Sequence, residues 1–104
     1  MTEDELRKKT TAHDNIDKLV HEPARLLILS YLSLLESADF IFLKAETGLS
    51  WGNLSVHLSK LEEAGYVTIE KKFVRKKPHT IASLTDIGRN AFDTYKNNLS
   101  KLLK

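Results

Sequence analysis

A chain of 104 residues with 41% hydrophobic and 29% charged side chains is sized and balanced for one compact domain around one core. It contains no cysteine, which excludes a disulfide framework, a thiolate metal site and a cysteine nucleophile. Its start, MTEDELRKKTTAHDN, lacks the apolar stretch of a secretory signal, and no run nears the roughly 18 apolar residues of a membrane span; a cytoplasmic protein is expected.

The net charge of +2 conceals an asymmetry. Residues 1–50 carry six Lys/Arg against nine Asp/Glu, whereas residues 51–104 carry ten against five. Local field, rather than total charge, steers a polyanionic partner. The second half of the chain is therefore the half to search for one.

In chain order, residues 1–13 are expected to be flexible, with Leu6 their one large apolar side chain after Met1. Asp14 can cap a short helix carrying Ile16, Leu19 and Val20. Pro23 suits the first turn of the next helix, where its missing N–H costs nothing. That helix, about 23–35, is apolar nearly all round (Leu26, Leu27, Ile28, Leu29, Tyr31, Leu32, Leu34, Leu35), so it is predicted to be central and buried on more than one side. A polar break at Glu36–Asp39 follows. Phe40, Ile41 and Phe42 can form a short strand, and Leu43–Thr47 reads as a short helix ended by Gly48.

Ser50 is a plausible N-cap for a helix over about 51–64, in which Leu54, Leu58 and Leu61 recur at four- and three-residue spacing as the inward stripe. Gly65 ends it. Residues 66–73 alternate as a strand, Arg75–His79 form a turn containing Pro78, and Thr80–Leu84 return as a second strand. Thr85 caps a long last helix with Ile87, Ala91, Phe92, Tyr95, Leu99, Leu102 and Leu103.

Two features carry chemistry. With the leucines inward, Trp51, Gly52, Asn53, Ser55, Val56, Ser59 and Lys60 fall on the outer arc or at the start of the 51–64 helix. Any surface helix shows serine, asparagine and lysine outward, but this face has no acid from Trp51 through Lys60. Gly52 keeps the first turn slim, Asn53 and Ser55 can donate and accept at base edges, and Lys60 can reach a phosphate or guanine. Trp51 is either an exposed wedge or a lid over the core. The second feature is the segment Lys71, Lys72, Arg75, Lys76 and Lys77, uninterrupted by acid and stiffened by Pro78. A charge run is usually a solvated turn; next to a groove-sized helix it fits a duplex backbone.

The series FxxLKxxTGLSxGNLSxHLxKLEEAGYV, then IEKKFVRKKPHT, then SLTDIGRNAF resembles the small winged-helix transcriptional regulators related to the ArsR and MarR families. The resemblance covers about Phe40 to Tyr95. It implies a mainly α fold with a small β-hairpin (α+β), a winged helix-turn-helix with N- and C-terminal dimerisation helices, filling residues 1–104 as a single domain. It further implies a homodimer on a pseudo-palindromic double-stranded DNA operator. Carried over by position, the DNA-binding residues are Trp51, Gly52, Asn53, Ser55, Val56, Ser59 and Lys60 on the helix, with Lys72, Arg75, Lys76 and Lys77 on the wing. Val56 departs from the basic or polar residue common there in ArsR-like helices, exchanging a phosphate or guanine contact for a thymine methyl.

ArsR-like metal sensors use cysteine pairs on the reading helix or Asp/His/Glu sets on the terminal helix. This chain has no cysteine, and 86–104 has no histidine. His13 and His21 stand eight apart, and His57 and His79 lie on separate elements, so neither metal nor cofactor is expected. His57 is expected to pack at the helix edge or bond a neighbour. Leucines at the end of 86–104 exceed what one domain needs, so Tyr95, Leu99, Leu102 and Leu103, with Ile16, Leu19 and Val20, are expected to pair two subunits. The alternative function is a winged-helix protein–protein adaptor. No phosphate loop, nucleophile elbow or paired carboxylates suggest an enzyme.

Overall fold

The computed structural model describes Thr2 and residues 16–103. Asp14, His13 and, Thr2 aside, the expected flexible segment 1–13 lie outside the described residues. Ile16–Val20 form a bend and turn rather than a helix, because the Asp17 carboxylate accepts from Leu19 and Val20 N–H (2.9 and 3.2 Å) and holds the chain in a side-chain-capped turn.

Helix α1 (Pro23–Leu35) starts with proline in its first turn and Glu22 as N-cap, the carboxylate accepting from Arg25 N–H. It buries Ile28, Leu29 and Leu32 fully. The expectation of burial on several sides needs correction: Leu27 and Leu35 are exposed and Leu34 is 83% exposed. A single domain of this size offers one core, so a helix apolar all round leaves part of its girdle in water.

The short strand also falls elsewhere. It is β1 (Ser37–Asp39), not Phe40–Phe42, and helix α2 (Phe40–Thr47) begins at Phe40. Asp39 decides the boundary, because its side chain caps α2 by accepting from Ile41 N–H at 2.7 Å. The polar Ser37–Asp39 trio becomes a strand by pairing antiparallel with Ser83–Ile81.

Helix α3 (Trp51–Glu63) is followed by strands β2 (Val67–Val74) and β3 (Lys77–Leu84) and by helix α4 (Asp86–Leu103). The sheet order is β1-β3-β2, antiparallel throughout. The hairpin is longer and its turn tighter than expected: Val74 pairs with Lys77, leaving Arg75 and Lys76 as a two-residue loop.

The core gathers one face from each element: Ile28, Leu29 and Leu32 of α1, Leu43 of α2, Leu54, Leu58 and Leu61 of α3, Val67, Ala82 and Phe92. Each fully buried leucine contributes about 1.5–3 kcal/mol by leaving water. Ile16, Val20 and Tyr95, expected to face a second subunit, are buried within this core. Tyr95 lies parallel to Phe92 with centroids 6.4 Å apart, and its hydroxyl bonds His21 Nδ1 at 2.8 Å. That contact turns the middle of α4 inward and covers the 16–20 turn.

Candidate nucleic-acid interface

The reading-helix candidate is set by its two ends. Before it, Thr47 Oγ1 donates to Leu43 O (2.6 Å), Gly48 adopts φ 73°, and Ser50 Oγ accepts from Asn53 N–H at 3.1 Å. A left-handed glycine followed by a serine cap is what lets α2 stop and α3 start within three residues. After it, Tyr66 N–H bonds Leu61 O and Gly65 N–H bonds Glu62 O (both 2.9 Å), with Gly65 at φ 80°. This paired closure is a Schellman motif, and it joins α3 directly to the first strand of the hairpin.

Between those ends, Leu54, Leu58 and Leu61 are fully buried, while Gly52, Asn53, Ser55, Ser59 and Lys60 are exposed. Val56 is 52% exposed. Trp51 is 49% exposed and stands outside the core, with Lys44 Nζ 5.4 Å from its ring centroid. The ring thus supports a cation at the mouth of the face rather than sealing the interior. Sequence spacing alone did not disclose Lys44, because a turn separates the two residues. Nothing lies within 4 Å of where a Cβ on Gly52 would stand, so the fold itself does not require glycine there.

His57 faces sideways. Its Nδ1 accepts from Arg25 Nη1 at 3.0 Å, the roles being fixed because a guanidinium only donates. Arg25 is buried and its Nε also donates to Leu19 O. Glu22 Oε2, 3.7 Å from His57 Nδ1, lies beyond hydrogen-bond reach. Burial raises the Glu22 carboxyl pKa, but hydrogen bonds from Arg25 and Ala24 N–H and the nearby Arg25 charge outweigh it and hold the group below the usual carboxylate value. Arg25 and Glu22 are positioning groups that residue type alone could not reveal.

The hairpin packs into the core at its inner end and is tied to the start of α2 part-way along, at His79 opposite Lys72. There, Asp39 accepts at Oδ2 from His79 Nδ1 at 2.5 Å, tying β3 to the cap of α2. Every residue from Lys71 to Pro78 is nonetheless exposed. Lys72 pairs with Glu70 at 3.4 Å across exposed side chains, a contact worth little in water. At the tip, Arg75 (φ 53°) and Lys76 (φ 66°) both sit in the left-handed region. A two-residue turn with two positive φ values is of type I′, where Asn-Gly is the unstrained choice. Placing two long cations there costs about 1 kcal/mol or more per residue, so stability does not explain them.

The C-terminal part of α4 offers an open groove lined by Lys96, Leu99, Ser100 and Leu103. Leu103 is 76% exposed, while Leu99 and Leu102 are partly buried against the core, as is Leu19. Among the described residues no three His, Asp or Glu are grouped to hold a metal, and no helix is long and apolar enough to cross a membrane. The three described histidines are otherwise engaged: His21 with Tyr95, His57 with Arg25, His79 with Asp39.

A capped helix whose polar outer face has no acid from Trp51 through Lys60, closed by a tight turn onto a cationic two-stranded wing, defines a class of protein. The winged helix DNA-binding domain family model matches residues 24–103, and the chain belongs to that family. It is 38% identical over 87 residues to the uncharacterised protein MJ0432 of Methanocaldococcus jannaschii, covering 84% of this chain and 95% of the relative. The structure of a transcriptional regulator homologue from Pyrococcus horikoshii OT3 matches with a TM-score of 0.79 at 26% identity, over 96% of this chain and 94% of that one. A MarR-family transcriptional regulator from Silicibacter pomeroyi shares the fold, with a TM-score of 0.67 at 21% identity, over 93% of this chain and 64% of that one.

Proposed function

We infer that this protein is a sequence-specific double-stranded DNA-binding transcriptional regulator acting as a homodimer, with α3 in the major groove and residues 71–80 on the backbone or minor groove. The observation that carries this reading is how two surfaces are joined: the outer face of α3, without acid from Trp51 through Lys60 and ending in Glu62 and Glu63, is linked by the tight Gly65 turn to the strand that leads to the Lys71–Lys77 wing. Family membership supports DNA as the partner. Leu99, Leu102 and Leu103, with Leu19 of the 16–20 turn, are the surface we assign to subunit pairing. Two reading helices about 34 Å apart would then require a pseudo-palindromic operator.

Selection of bound sequences from a random duplex pool, followed by titration at several salt concentrations, tests this. Lys76→Ala with Lys77→Ala should weaken all duplexes alike and flatten the salt dependence, by about 0.9 in log–log slope for each phosphate left unneutralised. Asn53→Ala should instead erode preference between sequences by about 1–3 kcal/mol. Equal salt slopes in wild type and double mutant would remove the wing from the footprint.

One observation favours the adaptor reading. Leu27 and Leu34 of α1 and Ile41 and Phe42 of α2 are exposed, and Phe42 packs edge-on to Tyr31 with centroids 6.0 Å apart. Absence of random-duplex binding at low salt would transfer the function to that surface.

A further inference from the structure

The wing carries an apolar feature that its cations do not explain. Alternation along β2 puts Val67, Ile69, Lys71 and Phe73 on one face, and their partners in register are Leu84, Ala82, Thr80 and Pro78. The inner pairs build the core, with Val67 and Ala82 buried. Two steps further out the same face ends in Phe73, 77% exposed, opposite an exposed Pro78. The third strand stops short of them, since β1 ends at Asp39 opposite Ile81.

The ladder accommodates this pair without penalty. A two-residue loop makes Val74–Lys77 a hydrogen-bonded pair, so Phe73–Pro78 is the next, non-hydrogen-bonded pair, where facing side chains approach most closely. Pro78 therefore forfeits no bond to β2, and its nitrogen faces the open edge. The result is a stiff aromatic–proline platform held away from the core, where it contributes nothing to folding that a polar residue would not.

Charge selects its occupant. Lys71 shares the face of the platform, Arg75 and Lys76 form the turn just beyond it, and Lys72 and Lys77 flank it along the strands, while Glu70, the acid of the hairpin, is engaged by Lys72 at 3.4 Å. An apolar protein surface would leave these cations without partners. The minor groove of a duplex offers phosphates along both rims for the cations and apolar deoxyribose walls between them for a wedge. We propose that Phe73, braced by Pro78, enters the minor groove where the wing lands and presses on those walls. This rests on the duplex-binding reading above and adds a second source of sequence preference to α3. The guanine 2-amino group projects into that groove, so the wedge disfavours G·C pairs beneath it.

The test uses the full chain and the duplex recovered from the random pool, with the wing's landing segment located by hydroxyl-radical footprinting. Phe73→Ala should lower affinity roughly five- to a hundredfold, the range spanned when one aromatic ring packed on nucleic acid is truncated, with unchanged salt slope and melting temperature. Phe73→Leu should recover part of that affinity. Inosine·C in the landing segment should bind like A·T and better than G·C, because inosine removes the 2-amino group and leaves the major groove intact. Wild-type affinity in Phe73→Ala, or inosine·C behaving as G·C, would overturn the wedge while leaving duplex binding in place. Failure of the wild type to bind any duplex would overturn both.

Discussion

The two arms of the candidate interface are held in different ways. Helix α3 is anchored from behind by three fully buried leucines, from the side by Arg25 on His57, and at its C-terminal end by the Gly65 closure. The wing is tied part-way along, where His79 opposite Lys72 bonds Asp39, and its residues from Lys71 to Pro78 are exposed and lead to a strained tip. The helix can be read as a rigid template whose outer residues are free to vary. The wing instead sacrifices local stability to hold charge and an apolar platform at a distance from the core, as functional strain does.

The largest effect should come from breaking the anchored side. Gly88 of α4 lies against the α3–β2 turn so closely that a Cβ would sit 2.1 Å from Tyr66 O. Thr85 fastens the same joint, donating from Oγ1 to Gly65 O (2.6 Å) and accepting from Gly88 N–H (3.0 Å). Gly88→Ala should therefore destabilise the domain by about 3 kcal/mol, the upper end for overpacking against backbone, read as a lowered denaturant midpoint. DNA affinity of the fraction still folded should fall as well, because the wing's base moves.

A smaller effect, confined to alkaline pH, sharpens the same side. Burial first, then the hydrogen bond to Asp17 (2.7 Å) and its negative charge, push the Tyr66 phenol up to about 12. A folded-state pKa above the unfolded value of about 10 contributes stability that is complete below pH 10 and disappears as pH rises toward 12. Tyr66→Phe should remove that alkaline limb from the pH–stability curve, at a cost of about 1 kcal/mol near neutrality. An unchanged limb would refute the assignment.

The smallest effect should have the opposite sign and sits on the wing. Replacing the tip by Arg75→Asn with Lys76→Gly supplies the residues a type I′ turn prefers and should stabilise the hairpin by up to about 1 kcal/mol. Duplex affinity should nonetheless fall, with a shallower salt slope. Gains in both stability and affinity would show that the tip cations do not touch DNA.

Much of this architecture was legible because it depends on neighbours in sequence. Ser50 and Thr85 act as N-caps, Gly48 and Gly65 end their helices, and Leu54, Leu58 and Leu61 face inward, all within one or two turns of the residues that specify them. The outward positions of α3, without acid from Trp51 through Lys60, follow from the same periodicity. What was not legible depends on partners far along the chain. Ser37–Asp39 has nothing strand-like in composition and becomes β1 only through Ser83–Ile81. Tyr95 reads as part of a subunit-pairing stripe until His21, 74 residues earlier, draws it into the core.

By itself, the order of residues determined where α1, α3 and α4 begin, which stripe of α3 turns inward, and where positive charge accumulates, since caps, periodicity and charge act over a few residues. Tertiary structure alone decided which part of α1 stays in water, that Ile16, Val20 and Tyr95 belong to the subunit's own core, and that Phe73 is carried past the last supporting strand. Those outcomes turn on which surfaces compete for one small interior, and that competition is settled only when all the elements pack together.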